Sequence, residues 1–374
     1  MELIQVIILF LLLLLFSNLL RNIKMMNEQK HLKLEEPLPL VSVLLPSRNE
    51  EKNIENCLRS LLKQNYPNLE IIVLDDNSTD RTYEIAECLA RHGKNLKVVK
   101  GKKLPPGWNG KNWACHQLSY IARGEWLLFT DADTTHKPDA ISTALASARK
   151  NNSVFVTTIP GLITKTWSEK LYIPIIHFAF LVMLPFRLIN YSKDSRISCG
   201  IGPFMLIKRN TYFACGGYDE LRRDIVDDMA LAKLVKEYGG KITVLDGTEM
   251  VDVRFYRNFS ELWKGFSKNH YEAIGAVPHY LAGLFIIGYF LFIYPYVTLW
   301  GAIKSQNNIT LPLLQVIAIS LTKITMAVRF KTDVIYGLLH PVTVLFCFLI
   351  FLNSFRISVF KKKVEWKERY YPID

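Results

Sequence analysis

Residues 125–140, EWLLFTDADTTHKPDA, place two carboxylates, Asp131 and Asp133, one small residue apart at the end of an apolar run. Like charges set this close repel unless a cation lies between them. Mg2+ or Mn2+ suits such a pair, because hard divalent ions take oxygen ligands and keep positions for phosphate oxygens. The other reading is one acid capping the next helix and one in solvent. A bare DxD does not choose between them. A second acidic strand end, Asp75-Asp76 after LEIIVL, favours the metal. A third pair, Asp227-Asp228, opens DMALAKLVKEYGG, a helical pattern closed by glycine. Mutual repulsion raises one pKa of such a pair, which suits a general base. A helix cap is the plainer reading, and both hold if the first acid caps and the second faces a cleft.

Lys111 ends PPGWNGK, residues 105–111. A GxxxxGK phosphate loop needs Gly at 105, where Pro105 stands. Lys111 is then a point charge reaching a phosphate, or a solvated lysine at a helix start. His136 follows the DAD either as a further metal or phosphate ligand or as a surface histidine beside Pro138.

These groups need elements to hold them. From about residue 38 to 250, strand and helix patterns alternate. PLVSVLLPS (39–47), LEIIVLDDNSTD (69–80), LKVVKG (96–101) and the run into DAD read as strands. Residues 49–65, 82–93 and 112–122 carry helical spacing between them. This pattern predicts a mostly parallel sheet covered by helices on both faces, with ligands at the carboxyl ends of the strands. No GxGxxG follows the first strand, so a dinucleotide fold is poorly supported.

The chain has 374 residues, a net charge of +12 and 50% hydrophobic composition. Its apolar residues concentrate at the two ends. Residues 3–20 carry no charge and approach the length of a membrane span. Arg21, Lys24, Lys30 and Lys33 follow, which predicts a cytoplasmic main domain. Residues 277–303 and 334–355 are also free of Asp, Glu, Lys and Arg. Between them, 311–322 is interrupted by Lys323 and reads as interfacial rather than crossing. Residues 171–186, with Pro174 and Pro185, read as a half-buried interfacial helix. The expected organisation is an N-terminal anchor (1–24), a catalytic domain (38–255), an amphipathic helix (256–276), a transmembrane region (277–360) and a basic tail with Lys361, Lys362 and Lys363 (361–374). The scattered basic residues match no nucleic-acid motif, so nucleic acid is not an expected partner. Six cysteines without CxxC spacing argue against a zinc site or disulfide framework.

VSVLLPSRNEEKNI, IIVLDDNSTDRT, GKNWACHQL, LLFTDADTTHKPDA, GGYD and IVDDMALA, in this order, resemble the motifs of family 2 glycosyltransferases with the GT-A fold. The resemblance covers roughly residues 40–270. The membrane layout looks like the lipid-modifying branch of hopanoid-associated and diaponeurosporenoate type, and the tail VEWKERYYPI is similar to the ending of the latter. The resemblance implies that Pro46, Arg48 and Glu50 line the nucleotide pocket, that Asp76 contacts the uracil or ribose, and that Lys111 approaches the donor. It implies that Asp131 and Asp133 hold Mn2+ or Mg2+ against the diphosphate, and that Asp228 is the general base. Asp227 stands where the family usually carries Glu. Processive synthases of the family carry Q-x-x-R-W. Here FSELWKGFSKNHY offers Trp263, on an expected interface helix, without the Gln and Arg.

The function so implied is inverting transfer of one sugar, from a nucleotide sugar such as a UDP-sugar, to a lipid or carotenoid-like acceptor at the cytoplasmic membrane face. A processive polysaccharide synthase and a non-catalytic membrane scaffold are the alternatives.

Overall fold

The computed structural model describes residues 2–27, 34, 36–93, 95–361, 363–366 and 369–372. Lys30, Lys33 and Lys362 lie outside them. The chain divides into two compact units. One comprises Met25–Ile163 and Phe186–Phe255. The other comprises Met1–Lys24, Thr164–Pro185 and Tyr256–Asp374.

The first unit is built on an eight-stranded sheet: β1 Val41–Ser47, β2 Leu69–Asp75, β3 Leu96–Lys100, β4 Trp126–Phe129, β5 Thr134–His136, β6 Phe155–Leu162, β7 Met205–Lys208 and β8 Ile242–Val253. Their spatial order is β3-β2-β1-β4-β7-β6-β8-β5. The half from β3 to β4 is parallel. Beyond β4 the sheet turns mixed: β7 is antiparallel to both β4 and β6, β8 is parallel to β6, and β5 is antiparallel to β8. The expectation of a mostly parallel sheet holds for the first half and is corrected for the second. There the chain reaches β7 through a long excursion instead of a β-α-β unit.

Alternation along the strands builds two cores. Val43, Leu45, Ile71, Val73 and Leu128 pack on one face with helices Ile54–Leu61 and Ala140–Asn151. Leu44, Ile72, Leu74, Leu127 and Phe129 pack on the other with helices Gly110–Ile121 and Asp227–Glu237. Both faces are covered, so what the sheet offers a ligand is its carboxyl edge.

Among the described residues, three helices are long and apolar enough to cross a membrane: Glu2–Asn27, Thr310–Phe330 and His340–Phe360. Pro278–Phe292 and Tyr294–Lys304 form a fourth candidate bent by 40°. The expected pattern is thereby partly exchanged. The stretch around 311–322 is one continuous helix, while 277–303 is broken next to Pro295. Residues 167–183 form only short helical pieces, and they group with the apolar unit rather than with the sheet domain. Pro185 interrupts the ladder there. The side chain of Asn22 donates to the carbonyls of Leu181 and Leu184 at 2.8 and 2.7 Å, and that of Asn18 to Val182 at 2.9 Å. Backbone freed by the break is thus satisfied by polar groups of an otherwise apolar helix.

Helix Phe259–Ala273 buries Leu262, Ser267 and Tyr271. Asn258 caps it by accepting from the Glu261 amide at 2.9 Å. The rings of Trp263, Phe259 and Phe346 form a mutual cluster, with Trp263 6.1 Å from Phe259 and 5.7 Å from Phe346. Within the tail, Lys363–Trp366 and Arg369–Pro372 pair as an antiparallel hairpin.

Candidate active site

Three chain segments meet at the carboxyl end of β4. The first is the turn after β4. Thr130 continues the pairing to β1 through its amide, which donates to the Leu44 carbonyl at 3.2 Å. Its hydroxyl donates to the Pro203 carbonyl at 2.8 Å. Ala132 is buried in the core, so the small residue anchors the turn and leaves Asp131 and Asp133 half-buried on either side of it. Beneath the turn lies His136, buried, with Nε2 3.0 Å from the Thr130 hydroxyl and 3.1 Å from that of Thr134. Burial pushes its pKa down to about 3. His136 is therefore a neutral support of the DAD turn, and the surface reading is corrected.

The second segment is the start of helix Gly110–Ile121. Its first turn carries Lys111, whose Nζ lies 3.0 Å from Asp131 Oδ1 and 3.5 Å from Asp227 Oδ1. Desolvation opposes the charge, but Asp131 and Asp227 outweigh it and hold the ammonium well above its usual pKa. Lys111 is thus not a solvated lysine. The neighbouring Asn109 and Asn112 fasten this turn to the third segment. Asn109 donates to the Arg223 carbonyl at 2.8 Å and Asn112 to the Asp224 carbonyl at 3.0 Å.

The third segment is the start of helix Asp227–Glu237. Val226 occupies the cap position and no side chain caps it. Asp227 instead accepts from the Tyr218 hydroxyl at 2.8 Å and faces Lys111. Both acids occupy the first turn, where the helix dipole favours negative charge. Asp228 Oδ2 accepts from the Gly202 amide at 3.0 Å and Oδ1 from the Met229 amide at 2.8 Å. Desolvation first, then repulsion by Asp227, raises its pKa to about 6 against the opposing pull of Lys111 and these amides.

Lys111, Asp131, Asp227 and Asp228 are thus brought together. Pro46, Arg48, Glu50 and Asp76 form a second group at the ends of β1 and β2. Pro46 pairs with Leu74. The Arg48 guanidinium donates to the carbonyls of Asp76 and Asn77, each at 2.7 Å. The Asp76 amide donates to Ser47 at 2.8 Å, and the Glu50 amide donates to the Thr82 hydroxyl at 2.7 Å. Arg48 therefore clamps one strand exit to the next. Asp75 Oδ1 and Ser47 Oγ are buried there without hydrogen-bond partners among the described residues. Trp263 belongs to the other unit.

Two residues of the first group carried no signal by charge. Gly202 supplies an amide to Asp228, and a Cβ on it would meet Asp131 Oδ2 at 2.9 Å. At Gly200 a Cβ would lie 1.9 Å from the Asp228 backbone carbonyl. The paired glycines of CGIGP were the available clue: close backbone approach needs them.

Among the described residues no three His, Cys, Asp or Glu side chains converge as a metal cage. The donor set is two carboxylates, and the missing Cβ of Gly202 leaves room beside one of them. Such a set fits a hard cation whose remaining ligands are supplied by a phosphate-bearing substrate.

Substitutions at the two glycines separate backbone from side-chain crowding. Gly200→Ala must displace the start of helix Asp227–Glu237 and should lower the melting temperature by several degrees, reflecting roughly 1–3 kcal/mol of overpacking. Gly202→Ala meets only the tip of a carboxylate and should melt close to the unsubstituted protein. Thermal melts in detergent check both.

Residues 42–213 match the family model described as Glycosyl transferase family 2. The 4,4'-diaponeurosporenoate glycosyltransferase of Staphylococcus aureus strain MRSA252 is 27% identical over 351 residues, covering 89% of this chain and 88% of the relative. The protein of that name from strain USA300 is 26% identical over 346 residues, with 89% and 88% covered. In fold, the chain resembles a mannosyltransferase from Pyrobaculum calidifontis, solved in complex with GDP-Man and Mn2+. The TM-score is 0.50 at 17% identity, covering 92% of this chain and 99% of that one. The sheet, the acidic strand ends and these matches agree: the chain contains a glycosyl transferase family 2 domain, over residues 42–213, with the GT-A fold.

Proposed function

We propose that the protein transfers one sugar, with inversion, from a nucleotide sugar of the UDP-sugar class to a lipid or carotenoid-like acceptor, with Asp228 as general base. The observation that carries this reading is the meeting of Lys111, Asp131, Asp227 and Asp228 at one strand end. Displacing a sugar from a nucleoside diphosphate leaves negative charge on the departing oxygen. Asp131 and Asp133 would hold Mn2+ or Mg2+, which when bound offsets that charge without a proton. The Mn2+ in the mannosyltransferase complex supports a metal of this kind.

The acceptor hydroxyl gives up a proton as it attacks. Asp228 receives it. The Gly202 and Met229 amides fix the Asp228 carboxylate, and burial together with the Asp227 charge keeps it basic enough to take the proton near neutral pH. Lys111 keeps Asp131 and Asp227 in place against their mutual repulsion and presents positive charge to the phosphates. Pro46, Arg48, Glu50 and Asp76 bound the nucleotide pocket in this reading. Arg48 shapes it through its grip on the β2 exit.

The names of the staphylococcal relatives support a carotenoid-like acceptor. The apolar helices support a multi-pass membrane protein, and Arg21 and Lys24 after the first of them support a cytosol-facing catalytic domain. Trp263, on an amphipathic helix without the Gln and Arg of processive synthases, supports transfer of a single sugar.

Melting of the purified protein with UDP, UDP-glucose or GDP-mannose, with and without Mn2+, tests donor and metal together. A Mn2+-dependent rise is expected with one nucleotide sugar. Asp133→Ala should abolish it. Asp228→Asn should keep it and lower kcat by about 10²–10⁴-fold. Full turnover in Asp228→Asn, or an unchanged Mn2+ response in Asp133→Ala, would overturn the respective assignment.

The pH profile offers a second check. Asp228 works ionised, so kcat/KM should rise through an acid limb near pH 6. Burial is the larger cause of this raised pKa, and Asp227→Asn removes the repulsion that adds to it, so the limb should move to lower pH. A limb that stays in place would exclude Asp228 as its source.

A further inference from the structure

The apolar unit contains a cation that sugar transfer does not use. Lys323 lies within helix Thr310–Phe330, two turns before its end, and is only 5% exposed. Among the described residues, no hydrogen bond or ion pair reaches its ammonium. The ammonium lies over the Phe178 ring, 5.1 Å from its centroid. His340 packs on that same ring at 4.9 Å, and both of its ring nitrogens are buried without hydrogen-bond partners among the described residues. Lys323 lines a narrow crevice whose walls include Leu171, Pro174, Met326 and Phe330. Lys170, also lining it, is more exposed and already has a counter-charge in Asp333 at 3.6 Å.

A charge buried on a membrane-spanning helix is costly unless a partner answers it. A lysine held at an interface would extend its ammonium into water; Lys323 is covered instead. The counter-charge that would settle it is not supplied by the described residues. These apolar walls form part of the lining, beside the polar side chains of Lys170, His177, Thr332, Asp333 and Tyr336, so the complementary ligand joins an anion to an apolar chain. We propose that this crevice binds the anionic head, carboxylate or phosphate, of a hydrocarbon-chain amphiphile, with Lys323 as its counter-ion. The inference concerns the apolar unit alone and stands whether or not the donor and base assignments hold.

The full chain in neutral detergent would be melted against dioleoyl phosphatidylglycerol, oleate, dioleoyl phosphatidylcholine and inorganic phosphate. The variants are Lys323→Met, Lys323→Gln and, as a surface control, Lys304→Gln. Without lipid, Lys323→Met should melt at or above the unsubstituted protein, since an uncompensated buried charge has been removed. The anionic amphiphiles should raise the melting temperature of the unsubstituted protein and of Lys304→Gln. Whichever of phosphatidylglycerol and oleate acts at the lower concentration identifies the head group as phosphate or carboxylate. Phosphatidylcholine and inorganic phosphate should have little effect. In Lys323→Met and Lys323→Gln the apparent affinity should fall at least tenfold. Native mass spectrometry would count the bound amphiphile if one variant is unstable. An equal response in the Lys323 variants would overturn the proposal. So would an equal loss in Lys304→Gln, or inorganic phosphate acting as well as the chain-bearing anions.

Discussion

The ammonium of Lys111 is the interaction on which the site depends. It lies between Asp131, at the end of a strand, and Asp227, at the start of a helix nearly a hundred residues later. Without it, three carboxylates from two segments would face one another in a partly desolvated cleft. With it, the DAD turn and the Asp227–Glu237 helix are held in register, and Asp228 is left with a raised pKa beside them. Asn109 and Asn112 flank the lysine and bind the carbonyls that lead into the acidic helix. One helical turn therefore supplies both the charge that gathers the acids and the hydrogen bonds that locate them.

The supports around this cation follow the same logic. Each charged group is fixed by neutral ones: Asp228 by two backbone amides, Asp227 by the Tyr218 hydroxyl, and the DAD turn by Thr130, Thr134 and an uncharged His136. Neutral donors orient a carboxylate without neutralising it, which suits a site that must accept a proton and hold a cation. The apolar unit presents the reverse case. Lys323 is a buried charge that lies against the Phe178 ring, in a crevice lined in part by Leu171, Pro174, Met326 and Phe330.

Much of the sheet domain was legible in the sequence, because burial on both faces forces apolar runs that end abruptly in acids. The first four strands and the helices between them appear where the periodicity places them. The mixed half was not legible: β7 and β5 are short, and their neighbours in the sheet are distant in sequence. The acids were visible as motifs, but their partners were not. Gly200 and Gly202 carry no charge and act through backbone approach, and Tyr218 was only one letter of GGYD. His136 illustrates the limit from the other side. Two residues from an acid it resembled a ligand or a surface group, yet strand alternation turns it beneath the turn. In the apolar part, hydropathy located the helices but not their breaks. The bend next to Pro295 and the fragments around Pro174 and Pro185 depend on which freed carbonyls find donors, such as Asn18 and Asn22.

The central claim is a single displacement assisted by one carboxylate. The anomeric configuration of the product tests it most directly. The protein would be supplied with an α-linked nucleotide sugar, the donor that it binds, and a lipid extract as acceptor, and the purified glycolipid examined by NMR. One base and one displacement predict a β-linked product. An α-linked product would require a second displacement or a different reaction path, and would contradict the account of Asp228.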